Sequence, residues 1–97
     1  MPLATPTSHI PNRVREYRKK RNLRICDVTE FMDLSSPSHV AHWEKGRKLP
    51  GLRNALKLAV TLGTMVEVLY SDLLHEIQHE IHAKKETRRN KNQLPLL

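Results

Sequence analysis

A series of helix starts and stops constrains this chain more than any other feature: Asn22, Ser36-Pro37, Gly46, Pro50-Gly51 and Gly63. Between them run short segments whose apolar residues recur at three- and four-residue intervals, the spacing of one helix face. Asn22 can take the left-handed conformation that ends a helix. Ser36 is a good N-cap, and Pro37 fits the first helical position, where a missing N–H costs nothing. The spacing predicts a third helix from Pro37 to about Lys45, stopped at Gly46, with Val40 and Trp43 on its inner side.

The other segments follow the same logic, and the predicted fold class is all-α. A first helix opens at Pro11-Asn12, with Val14, Tyr17 and Arg18 on one side. A second begins at Leu23 and aligns Ile25, Val28 and Met32. The fourth, LRNALKLAVTL, is expected to face Leu52, Leu56, Ala59 and Leu62 inward. A fifth is expected to start near Thr64 as cap, with Glu67 three residues later, and to carry Val66, Leu69, Leu73, Ile77 and Ile81. Ninety-seven residues hold one small domain. Its predicted limits are 9–70, with a flexible arm at 1–8, a helical extension at 71–86 and a disordered basic tail at 87–97. Aromatic residues make up only 4%, so the core must be aliphatic.

The formal net charge is +7 and the pI is near 10. A small basic domain favours a polyanionic partner. The single cysteine, Cys26, excludes an internal disulfide and is expected to be a small buried apolar group. MPLATPTS has neither the basic nor the apolar region of a signal peptide, and no apolar run approaches the ~18 residues of a membrane span. The expected location is cytoplasmic.

These segments together resemble the lambda-repressor/Cro-type helix-turn-helix family, often called Xre-like. The resemblance runs from about Asn12 to Leu69. It rests on VREYRKKRNL, DVTEFMDL, SPSHVAHWEKGRKLP and NALKLAVTLG, above all on the W-E-K-G-R-K-L-P run. It implies a five-helix repressor-like domain, here with an extended C-terminal helix, and a bacterial or mobile-element regulator of transcription. It also implies a structural salt bridge between Arg18 and Glu44. Three positions depart from the family pattern. Arg24 stands where a Ser or Thr cap begins helix 2, Ile25 where a phosphate-contacting Gln is common, and Thr29 where a small Ala packs against helix 3. The turn between helices 2 and 3 is one residue longer than the commonest form.

In this motif the third helix enters the major groove of double-stranded DNA and presents its N-terminal residues to base edges. By position the base-contacting candidates are Ser36, Pro37, Ser38, His39 and His42. Phosphate contacts supply most of the affinity, and the candidates are Arg24, Lys45, Arg47, Lys48, Arg53 and Asn54. The basic residues of helix 1 read as a general field. The leading expectation is a repressor that binds a palindrome as a homodimer. The alternative is an antitoxin that neutralises a partner protein and represses its own operon.

HEIQHEIH at 75–82 satisfies H-E-x-x-H, a zinc-peptidase signature. At about 100° per residue, however, the string divides into two faces. Leu73, Leu74, Ile77 and Ile81 fall in one stripe, the expected dimer interface. His75, His79 and His82 face the other way. Catalytic zinc needs three protein ligands and a shielded cleft, and three histidines of one helix do not supply them. The expectation is a non-enzyme with no metal and no cofactor.

Overall fold

The computed structural model describes residues 9–93, with side chains for 9–90. Among them lie six helices and no strand: α1 Val14–Lys20, α2 Ile25–Phe31, α3 Ser38–Glu44, α4 Leu52–Leu62, α5 Val66–Leu69 and α6 Ser71–Gln93. The proposed arm at 1–8 and the terminal LPLL lie outside the described residues.

The core is a single aliphatic cluster. Val14 of α1, Val28 of α2 with Met32 beyond its end, Val40 and Trp43 of α3, Leu58, Ala59 and Leu62 of α4, and Leu69 are all buried. Tyr17, Leu23, Ile25 and Leu73 pack against its edge. Thr29 is buried in the larger volume it adds to α2, and its hydroxyl donates to the Ile25 carbonyl at 2.8 Å. No hydroxyl is therefore stranded by that departure.

Four helices end alike. After α1, α2, α3 and α4 a residue turns left-handed: Asn22, Asp33, Gly46 and Gly63. In each case the following amide reaches back five residues: Leu23 to Arg18, Leu34 to Thr29, Arg47 to His42 and Thr64 to Ala59, at 2.9–3.1 Å. This is the Schellman closure, which satisfies carbonyls that a helix end leaves without partners. Short polar Asn and Asp tolerate this conformation where Gly is absent.

The structure departs from the sequence expectations in five places. The inward face of α4 is Ala55, Leu58, Ala59 and Leu62, while Leu52 and Leu56 are 77% and 53% exposed. These two leucines lie at the edge of the buried stripe, beside exposed Val60. Thr64 does not cap a fifth helix, because its amide closes α4 and Met65 is extended before Val66. That fifth helix is also two helices. The Leu69 carbonyl turns outward to accept the Arg13 N–H at 2.8 Å, and the chain breaks at Tyr70 (φ −121°, ψ 40°) before α6 begins. Helix α6 passes residue 86 and continues to Gln93. Strong helix formers from Ala83 to Arg89, an Arg89–Glu86 pair and basic residues near the carboxyl end all favour its continuation. Cys26, finally, is exposed, on the outer side of the first turn of α2.

Tyr70 fills the break with its ring buried and its hydroxyl in contact with no polar partner among the described residues. Burial pushes its pKa up to about 12. A raised pKa favours the neutral phenol in the folded state, so stability falls as pH rises from 10 toward 12. Tyr70→Phe removes a buried unpaired donor at nearly constant volume. Urea unfolding should show a stability equal to the parent at pH 7, or up to about 1 kcal/mol higher. The variant should also lack the parent's loss above pH 10.

Candidate nucleic-acid interface

Helix α3 is short, and its orientation is set at both ends. At its start Pro37 already has helical backbone angles (φ −66°, ψ −13°). Ser36 Oγ accepts the Ser38 N–H at 3.2 Å, which makes Ser36 a capping residue. The same oxygen lies 2.9 Å from Ser38 Oγ.

At its end, three devices from the N-terminal part of the chain converge on the last turn. Asn12 Nδ2 donates to the Trp43 carbonyl at 3.0 Å and more weakly to that of Glu44 at 3.4 Å. Asn12 Oδ1 accepts the Val14 N–H at 3.1 Å, one of the amides that the start of α1 leaves unpaired. Arg18 grips the Glu44 carboxylate with two nitrogens, Nε on Oε2 and Nη2 on Oε1, and its Nη1 donates to the Leu23 carbonyl at 2.8 Å. Only 12% and 6% of these two side chains is exposed. Gly46 then brings the chain against residue 10, where the Ile10 N–H donates to the Gly46 carbonyl at 2.8 Å. A Cβ on Gly46 would sit 2.5 Å from the Ile10 carbonyl oxygen.

With Val40 and Trp43 locked inward, the outer face of α3 is fixed. Pro37, Ser38 and His39 are exposed, whereas Ser36 and His42 are half-buried. The His39 ring lies 6.3 Å from the Trp43 ring, tilted by 35°. His42 differs from a freely exposed histidine. Its Nδ1 is buried with no partner among the described residues, so only Nε2 is open to a ligand. Nε2 is therefore the ring nitrogen through which His42 can hydrogen-bond a base edge or a phosphate.

The phosphate candidates divide in two. Lys45, Arg47, Lys48 and Arg53 are exposed and have no acidic partner among the described residues. Asn54 is half-buried. Arg24 is exposed but engaged: its guanidinium grips Asp27 at 3.1 and 3.2 Å, while its own N–H donates to Asp27 Oδ2 at 2.8 Å. These bonds hold the Asp27 carboxyl below the usual carboxylate range. Arg24 thus helps to start α2, and a carboxylate sits beside its charge.

Sequence reasoning missed Asn12 as the link between α1 and α3. A signal was present, since an Asn before a helical run is an N-cap pattern, but its second role depends on where α3 ends in space. It also missed Arg21, which caps α4 through the Leu62 and Gly63 carbonyls at 2.9 and 3.1 Å. Lys57 does the same for α2 through the Met32 carbonyl at 3.3 Å.

An exposed helix N-terminus, set at a fixed angle by the preceding helices and followed by unpaired cations, is the geometry of groove recognition. The family model described as helix-turn-helix, of the Cro/C1 type, matches residues 14–69, more than half of the chain. The chain belongs to this helix-turn-helix family. It is thereby a DNA-binding regulator of transcription. No curated protein matches the chain. The matched span begins at Val14 and ends at Leu69, so it contains all of α1 to α5. Asn12 and α6 lie outside it.

The H-E-x-x-H histidines take no part in this helix-turn-helix unit. His75, His79 and His82 are exposed along α6. Among the described residues no group of three or more His, Cys, Asp or Glu could hold a metal ion. No described helix is long and apolar enough to cross a membrane.

Gly46→Ala should strain a left-handed position and force Ile10 away, a cost of at least about 2 kcal/mol. Arg18→Ala should cost about 3–5 kcal/mol, because it leaves the Glu44 carboxylate buried and uncompensated. Chemical denaturation of both variants measures these losses. A loss below about 1 kcal/mol in each would show that α3 is not held by these contacts.

Proposed function

We propose that the protein is a repressor that binds a two-fold symmetric operator as a homodimer, with α3 of each subunit in the major groove. The observation that carries this reading is the outer face of α3. Pro37, Ser38 and His39 are exposed on a helix whose opposite side is locked into the core, and Lys45, Arg47, Lys48 and Arg53 follow without acidic partners among the described residues. Ser38 and the Nε2 of His42 are the hydrogen-bonding groups for base edges, and Pro37 offers an apolar contact to a thymine methyl. The cations hold the backbone, and their contribution is sequence-independent. Arg24, already paired with Asp27, is the weakest of the phosphate candidates.

Two-fold pairing follows from the size of the site. One short helix covers few base pairs, and two subunits on half-sites about 34 Å apart recover the specificity. The expected dimer stripe is narrower than the sequence reading, because Leu73 packs on the subunit's own core. Leu74, Ile77 and Ile81 remain for a partner, the last two 45% and 48% exposed. Repression follows from occupancy of a promoter, and the site of action is the cytoplasm of a bacterial cell.

A second reading, an antitoxin with a protein partner, is favoured by one observation. Phe31, Leu56 and Val60 are 65%, 53% and 80% exposed around a groove of about 420 Å³ between the end of α2 and the outer face of α4. An apolar patch of this kind marks a protein contact. Paired serine substitutions at Phe31 and Val60 separate the readings. Loss of a co-expressed partner with DNA binding intact supports the antitoxin.

Selection of duplexes from a random pool gives the operator for the mechanistic test. His42→Ala should cost about 1–3 kcal/mol on that operator and relax preference at one base position. Arg47→Ala should weaken operator and random DNA alike and reduce the salt slope by about one. Equal losses on both DNAs for both variants would remove α3 from base recognition.

A further inference from the structure

Helix α6 runs for 23 residues, and every side chain from His75 to Asn90 is exposed. Only its first turn is held, through Leu73 on the core. Most helices in proteins draw their stability from a packed face rather than from intrinsic propensity, and this one packs no face beyond its first turn. Its outer row alternates spacings of three and four: Leu74, Ile77, Ile81, Lys84, Arg88. That is a short coiled-coil seam whose second half is basic. At the root of the helix lies a shallow cleft of about 160 Å³ lined by Val66, Glu67, Tyr70, Leu73, Leu74 and Ile77. Glu67 is exposed and pairs with no cation among the described residues, and Lys84 and Arg88 pair with no acid.

We propose that α6 pairs with α6 of a second copy in an antiparallel sense, with the two-fold axis between Ile77 and Ile81, so that Arg88 of each subunit enters the other's cleft beside Glu67. The inference rests on the homodimer reading and adds its orientation. Charge decides the direction. A parallel pair would set Lys84 against Lys84 and Arg88 against Arg88 of the partner, an unfavourable arrangement at seam positions. The antiparallel pair lays Ile77 on the partner's Ile81 and the stem of Lys84 along the partner's Leu74. Long basic side chains cover apolar surface in this way while their charge stays in water. Arg88 then reaches the carboxylate of Glu67 at the rim. The one like-charge contact is Glu80 with its symmetry mate, on the solvated flank, where screening makes it small. The register also sets the two Tyr70 positions roughly 27 Å apart along the helix axis, from a rise of about 1.5 Å per residue.

Disulfide trapping tests the orientation on the full chain with Cys26→Ser as background. Leu74→Cys and Lys84→Cys are made separately, oxidised alone and oxidised as a mixture, with sedimentation of each variant alongside. The expected result is a dimer by sedimentation, a covalent dimer only in the mixture, and none from either variant alone, because like positions lie roughly 15 Å apart along the axis. Covalent dimers from each variant alone would establish a parallel pair and overturn the orientation while leaving the homodimer intact. A dimer by sedimentation with no trapping in any sample would overturn α6 as the interface. A monomer at tens of micromolar would overturn the homodimer reading itself. A charge exchange gives an independent readout. Arg88→Glu and Glu67→Arg should each raise the dimer Kd about five-fold or more, and the double variant should restore it. Equal weakening in the double variant would contradict the contact.

Discussion

The last turn of α3 is the constraint on which the rest depends. Asn12 holds its carbonyls, Arg18 holds its carboxylate, and the Gly46 carbonyl accepts the Ile10 amide. Side-chain and backbone contacts of different chemistry thus meet within four residues. A buried ion pair adds little net stability, because desolvation offsets most of its attraction. Its value here is orientation. A two-nitrogen grip on one carboxylate fixes the roll of a seven-residue helix, which could otherwise turn about its axis. The roll places Val40 and Trp43 in the core and leaves Pro37, Ser38 and His39 in water.

The basic charge of the chain divides by use. Arg18, Arg21 and Lys57 are consumed inside the domain, the last two at the carboxyl ends of α4 and α2. A cation there satisfies carbonyls and complements the helix dipole. Arg13 and Lys20 share Glu16, and Arg24 is paired with Asp27. Among the described residues, exposed cations without an acidic partner stand where α3 ends and α4 begins, on the far half of α6, and at Arg15 and Lys19 of α1. The first group adjoins the recognition face. In the proposed antiparallel dimer, Lys84 and Arg88 of the second group meet the partner subunit.

Most of the domain is legible in its sequence because its helices announce their ends. Asn22, Gly46 and Gly63 stop helices by local backbone preference, and Ser36-Pro37 starts one, so these boundaries need no tertiary information. The Arg18–Glu44 contact is legible only through family resemblance, since no local rule joins residues 26 positions apart. Other features depend on neighbours in space. Leu52 and Leu56 fit an apolar stripe as well as Ala55 and Leu58 do, and the packing of α4 on α1 and α2 makes the choice. The break at Tyr70 arises because Arg13 takes the Leu69 carbonyl, a contact between distant segments. Asp33 turns left-handed without a glycine to mark it. His39 and His42 lie three apart on one face by spacing, but only the fold shows that His42 has Nδ1 buried and one ring nitrogen open.

In the proposed complex the outer face of α3 meets DNA and α6 does not. An amide NMR titration of the chain with its selected duplex tests it most directly. The expected result is the largest shifts at Ser36 to Lys48 and near Arg53, with His75 to Arg89 unchanged beyond the effect of dimer formation. Shifts concentrated on Lys84 to Arg89, with Ser38 and His39 unmoved, would contradict it.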